Sequence, residues 1–159
     1  MPDILVVGFK LILAIFFAWC IGWERESSGK PAGTRTYGLV ALGSTLFTII
    51  ALEGFNQFTG NDPSRIIGQI IVGIGFIGAG LIIFDKHHVE GLTTAAALWA
   101  TAAVGVTIGL GWYAISFLTV ALIFILLSVI GHLEYKYRHP GILKKLKKKS
   151  KNHVSLFKN

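Results

Sequence analysis

The sequence predicts an all-α, polytopic membrane protein of about five transmembrane helices, with the N-terminus outside and the C-terminus cytoplasmic. Three observations predict it. The 159 residues are 53% hydrophobic and only 14% charged, with a mean hydropathy of +0.64, which lies outside the range of an ordinary soluble domain. Apolar runs at about 4–23, 36–53, 65–84, 92–111 and 113–133 each approach the ~20 residues that a helix needs to cross a ~30 Å hydrocarbon core. Lys and Arg are divided unequally between alternate connections: 13 of the 15 fall in the connections after spans one and three and in the tail, the pattern of cytoplasmic segments. The remaining two are Arg65 and Lys10, and Lys10 lies near the outer end of span one, where its stem is expected to snorkel. Residues 1–133 thus read as one membrane domain and 134–159 as a basic cytoplasmic tail.

Span one begins without the positive stretch of a signal peptide, and no small-residue cleavage site follows it, so it is expected to be retained. Ala14, Ala18 and Gly22 recur every four residues among Leu, Ile, Phe, Val and Trp, a small-residue ridge that suits one close neighbour. The single cysteine, Cys20, excludes an intramolecular disulfide and a Cys-based metal site. In span two Ala41, Ser44, Thr45 and Thr48 share one face. Their hydroxyls are expected to bond their own i−4 carbonyls and ease packing, with a substrate-lining stripe as the alternative.

Span three carries Gly68, Gly73, Gly75, Gly78 and Gly80. Glycine costs roughly 1 kcal/mol relative to alanine inside a helix, so five of them predict two flat faces packed against two helices. Gln69 is expected to make a cross-helix hydrogen bond. Span four places Ala96, Ala100, Ala103 and Thr107 on one small face and Thr94, Thr101 and Gly105 on another. Spans three and four are therefore expected to form the buried centre, with the Leu- and Ile-rich span five facing lipid. Beyond it, six lysines between Lys144 and Lys151 predict contact with anionic lipid, each worth about 1 kcal/mol. No aromatic-interleaved binding fold accompanies them, so nucleic acid is not an expected partner.

Chemistry is expected on the surface that holds the connections after spans one and three. Glu24 and Glu26 follow span one, and Asp85 follows span three, where helix C-termini disfavour negative charge. An internal lattice with Arg25 and Arg35 is the first way to compensate them. The second is a divalent cation; Mg²⁺ needs only one or two carboxylates, here Glu24 and Asp85. His87 and His88 could recruit a transition metal instead, although adjacent histidines in a turn are more often incidental. No ionisable group lies near the midplane of a span, which disfavours a self-sufficient coupled transporter. No nucleophile and base pair, zinc motif or phosphate loop stands out, so an enzyme is not expected.

The segments IGWERESSGKPAGTRTYGLVALGSTLF, GIGFIGAGLI and GLTTAAALWATAAVG, in that order, resemble the membrane domain of the MgtC/SapB family over about residues 8–131. The resemblance implies a bacterial inner-membrane protein linked to magnesium homeostasis, through Mg²⁺ transport or a response to Mg²⁺ limitation, with no cofactor beyond that ion. The alternative is a non-transporting regulator that binds another membrane protein complex, or further copies of itself, through its small-residue faces. The signature positions carried over are Glu24, Arg25, Glu26, Gly33, Arg35, Thr36, Gly75, Gly78, Gly80, Gly91, Thr93 and Thr94. Thr34, Tyr37 and Glu90 depart from the family pattern, and the cytoplasmic domain of its longer members is not expected here.

Overall fold

The structure, a computed structural model, describes residues 3–54, 62–85 and 88–130. The basic tail with its Lys144–Lys151 block, and His87, lie outside the described residues. Among the described residues five α-helices run in chain order: α1 (Ile4–Ser27), α2 (Thr34–Ile49), α3 (Pro63–Ala79), α4 (Leu92–Gly109) and α5 (Tyr113–Phe124). A π-helical turn, Ile50–Gly54, continues α2, and a short antiparallel hairpin of β1 (Ile83–Asp85) and β2 (His88–Glu90) joins α3 to α4. The chain to Phe124 is one compact unit, and the π-helical segment Ile125–Ile130 opens a second.

Helix α1 starts where the Asp3 side chain accepts the Leu5 amide, an N-cap that satisfies one of the donors a helix start leaves open. Its buried face is Lys10, Ala14, Ala18, Ile21, Gly22 and Arg25, so the predicted ridge is present and gains a cation at each end. Lys10 does not snorkel: it is buried, and its Nζ donates to the Gly109 carbonyl at 2.8 Å. That carbonyl belongs to the C-terminal turn of α4, where unsatisfied acceptors and the helix dipole favour a positive charge.

The centre is the contact between α2 and α4 rather than between α3 and α4. Helix α4 touches every other helix, and α2 lies between α1 and α4. Tyr37, Ala41, Ser44, Thr45 and Thr48 line the buried face of α2, and of the expected i−4 bonds Thr48 makes its own while Thr45 reaches across to α4 instead. Thr48 donates to Ser44 O on its own helix and Thr45 donates across to Gly105 O at 2.9 Å. Gly105 and Gly109, one turn apart on α4, bring the backbones together. A Cβ on Gly105 would lie 2.6 Å from Ala41 O, and one on Gly109 would lie 2.6 Å from Thr48 Cβ. The Thr107 and Ser116 hydroxyls, 2.8 Å apart, join α4 to α5.

Helix α5, which buries only Ser116 and Ile123, is peripheral as expected, and α3 is peripheral too, because it buries only Ile70, Ile74 and Gly78, a single stripe. Gly78 lies against Ala95, and no atom comes within 4 Å of a Cβ built on Gly68, Gly73 or Gly75. The helix stops at Ala79, with Gly80 as its C-cap. Asp85 therefore sits on a strand instead of at a helix C-terminus, and the dipole expectation for it does not hold. The small face predicted at Ala96, Ala100 and Ala103 is likewise open, since Ala96 and Ala103 are exposed and Ala100 is half-buried.

Asp62 caps α3, accepting the Ser64 amide at 2.9 Å ahead of Pro63 in the first turn. Hydrogen bonds from Ser64, side chain first and backbone second, hold the Asp62 carboxyl below the ordinary aspartate value. The cap's contribution is present above the unfolded pKa and disappears as pH falls through the lowered folded one. The amides of Ser64 and Arg65 should lose hydrogen-exchange protection over that acid range in wild type, and Asp62→Asn should show no such pH dependence.

Candidate functional site

The signature residues gather where α1 ends and α2 and α4 begin. Helix α1 continues through Ser27, so Glu24, Arg25 and Glu26 lie on its last turn and not in the connection. The helix is closed by Gly29 in the left-handed region (φ 66°), with Gly29 N bonded to Glu26 O and Lys30 N to Arg25 O. These two bonds form a Schellman motif, which uses up carbonyls the helix end would leave unpaired. It reverses the chain so that Ala32 is buried and Gly33 starts α2 beside the turn it has just left. The approach is close: a Cβ on Gly22 would fall 2.7 Å from Thr34 Cα, and one on Gly33 2.8 Å from Glu26 Oε2.

That reversal decides what the two glutamates do. Gly33 has no side chain with which to cap α2, and Glu26 does so from α1: its Oε2 accepts from Thr34 N at 3.2 Å and from Thr34 Oγ1 at 2.8 Å. The negative charge that suits the end of α1 poorly suits the start of α2 well. Glu24 takes the other partner. Arg25 Nε donates to Glu24 Oε2 at 2.5 Å and Nη2 to Oε1 at 2.8 Å, a bidentate fork, and Ser28 Oγ adds a third bond to Oε1. The pair is withdrawn from solvent, with side-chain exposures of 5% for Arg25 and 11% for Glu24. Of the predicted lattice, then, Arg25 pairs with Glu24, while Arg35 is exposed on the first turn of α2 and lies near enough to Glu26 to attract it electrostatically.

Tyr37 ties this corner to α4. It is fully buried, and its hydroxyl donates to Thr94 O at 3.3 Å in the first turn of that helix. Neither Tyr37 nor Lys10 stands out in the sequence as a contact between helices. The available signals are a phenol in an apolar face, which needs a partner when buried, and a charge inside a span. Gly91 caps α4 with φ 84°, and its α-carbon packs so closely on Leu81 O that no side chain would fit. Thr93 is exposed and Thr94 buried, while Gly75 and Gly80 lie on α3 and its cap.

As a cation site the corner offers carboxylates already engaged: Glu24 by Arg25 and Ser28, Glu26 by Thr34. Asp85 and His88 lie on the hairpin, and no three His, Cys, Asp or Glu side chains cluster among the described residues. A separate groove of about 480 Å³ opens between α2 and α3. Its walls are mostly apolar, with Ser44 and Gln69 as the polar side chains and Gly43 and Gly73 widening it.

The surface settles the class. Large apolar side chains stand exposed along whole helices, among them Ile4, Phe9, Phe16, Trp23, Phe76, Phe117 and Leu122, far beyond the patches a soluble monomer carries. Among the described residues three helical segments, Ile4–Ser27, Thr34–Gly54 and Leu92–Gly109, are long and apolar enough to cross a membrane. This is a helical integral membrane protein. The chain belongs to the MgtC family, whose pattern it matches over residues 11–136. It is 42% identical over 132 residues to YhiD of Escherichia coli K12, which carries the provisional name of a magnesium transporter; the match covers 80% of this chain and 61% of YhiD. It is 39% identical over 140 residues to SrpB of Synechococcus elongatus, covering 81% of this chain and 76% of SrpB. With SapB of Bacillus subtilis it shares 40% over 134 residues, covering 80% of this chain and 56% of SapB. The chain thus spans about three fifths of YhiD and rather more than half of SapB. No solved structure matches it.

Proposed function

We propose that this chain is a five-span protein of the bacterial inner membrane that serves magnesium homeostasis by moving Mg²⁺. Helices α3 and α5, apolar but shorter than the segments Ile4–Ser27, Thr34–Gly54 and Leu92–Gly109, complete the five spans. The excess of Lys and Arg beside the α1–α2 connection and in the tail directs that side to the cytoplasm, so the Glu24–Arg25–Glu26 corner faces inward and the lysine block meets anionic lipid. The observation that carries the reading is family membership over residues 11–136, together with a relative at 42% identity named for magnesium transport. The geometry adds a constraint. The hydroxyls of Thr45, Thr48 and Thr101 all donate to backbone carbonyls, so the α2–α4 contact serves as a joint. A path for a hydrated cation would then run outside that joint, past Asp85, a carboxylate in the connection between α3 and α4.

The test is Mg²⁺ entry into liposomes that contain only the purified chain and an impermeant indicator, wild type beside Asp85→Asn. Wild type is expected to admit Mg²⁺ and Asp85→Asn to admit much less. A silent wild type with retained helicity and orientation would rule out transport by this chain alone, leaving a regulator that acts on another membrane complex.

A further inference from the structure

The hairpin between α3 and α4 is two-faced in a way the corner above does not use. Its register sets Ile83 opposite Glu90, Phe84 opposite Val89 and Asp85 opposite His88. Residues directly opposite share a face of a two-stranded ribbon, and successive residues alternate. Phe84 and Val89 therefore make one wholly apolar face, while Asp85, His88 and Glu90 share the other with Ile83. Phe84 is 80% exposed and Val89 54%, so no described residue covers the apolar face.

The hairpin's position is fixed by its attachment. Glu90 is followed by Gly91, whose left-handed turn packed on Leu81 leads directly into Leu92, the first residue of a candidate span. Eighteen residues of α4 rise about 27 Å, close to the ~30 Å hydrocarbon thickness, so Leu92 lies at the boundary when α4 spans the membrane. Strands of three residues reach only about 10 Å from that point, no farther than the headgroup layer and its edge. Phe76, Ile77 and Leu92 are exposed on the adjoining helix ends, so the hairpin springs from a part of the molecule that already exposes large apolar side chains.

We propose that this hairpin is an interfacial membrane anchor: Phe84 and Val89 insert at the boundary between headgroups and acyl chains, and His88 and Glu90 face water. Lipid is the occupant because the hairpin leads directly into the first residue of a candidate span, beside helix ends that expose Phe76, Ile77 and Leu92, and because it pairs bulky apolar side chains with a polar reverse, the chemistry of interfacial segments. The proposal rests on α4 crossing the membrane and is independent of magnesium.

Cys20 is the only cysteine, so Cys20→Ala gives a background for single labels. Phe84→Cys, Val89→Cys, His88→Cys and Glu90→Cys, each carrying a nitroxide, would be reconstituted in vesicles of anionic and zwitterionic lipid. Collision rates with oxygen and with a water-soluble nickel chelate report depth. Oxygen should dominate several-fold at 84 and 89, and nickel at 88 and 90. Nickel access at all four positions would overturn the proposal by placing the hairpin in water. Poor access of both reagents to 84 and 89 would also overturn it, since protein would then cover the face. Should labelling disturb the hairpin, Phe84→Trp offers a second readout: its added fluorescence should be quenched by lipids brominated near the headgroup end of the chain and spared by iodide, and the reverse pattern would count against insertion.

Discussion

Gly105→Leu is expected to destabilise the chain by about 3 kcal/mol or more, while Gly75→Leu leaves its stability unchanged or slightly raised. Both replace a glycine in an apolar helix by the same side chain, so propensity favours leucine at each position by up to about 1 kcal/mol. What differs is the space. At Gly105 a Cβ alone would lie 2.6 Å from Ala41 O and 2.9 Å from Ser44 Cβ, before the rest of the leucine is placed. Overpacking a core costs about 1–3 kcal/mol even where side chains can yield. Here the obstacle is backbone, so α2 and α4 must separate, and the Thr45 hydrogen bond to Gly105 O is lost with the contact. At Gly75 nothing lies within 4 Å. Unfolding midpoints of the two variants in mild detergent give the comparison. Equal midpoints would mean that the α2–α4 joint is not the centre of the fold. The contrast carries a second reading: if Gly75→Leu keeps its stability and loses a second copy or another protein on purification, the open α3 face is an interface.

The membrane class and the apolar runs are legible in the sequence because hydropathy is a signal along one dimension. The Ala14, Ala18, Gly22 ridge is legible for a related reason: small residues every four positions mark a buried face, and periodicity names it. Periodicity does not name what covers a face. Five glycines in the apolar run 65–84 therefore look like a buried centre, while the contact that holds the molecule together uses two glycines on α4. Leu81 to Phe84 is as apolar as any helix, and a short apolar run does not distinguish strand from helix. The distinguishing marks are Gly78 and Gly80 ahead of it and the β-branched and aromatic residues within it. The α1–α2 corner was hidden differently. Its acidic and basic residues are evident, but their pairing depends on the reversal at Gly29, which returns Thr34 to Glu26 across eight residues and leaves Arg25 to Glu24. Composition supplies the charges, and backbone geometry assigns the partners.

Glu24→Gln is expected to cost about 3 kcal/mol, and the double variant Glu24→Gln/Arg25→Met to recover most of that loss. A buried ion pair is weak evidence of stability, because its desolvation offsets its attraction, but removing one partner strands the other charge at about 3–5 kcal/mol. With Arg25 5% exposed and Glu24 11%, the pair belongs to that case, and Glu24's small access to water sets the lower end. Arg25→Met alone should cost less, since the stranded carboxylate keeps the Ser28 hydroxyl and the larger share of solvent. A double-mutant cycle on unfolding free energy should therefore return a coupling of roughly 2–3 kcal/mol, little changed by salt because the pair is shielded. Strictly additive losses would show that the charges act separately, which would return Glu24 to the candidate cation ligands. Strong coupling has the opposite consequence. A carboxylate whose removal unfolds the corner is a poor candidate for a ligand that binds and releases Mg²⁺ in each cycle, and loss of function in Glu24→Gln would then report lost structure. On that outcome Glu24 leaves the set of candidate ligands, and the flux comparison of wild type with Asp85→Asn tests the other candidate.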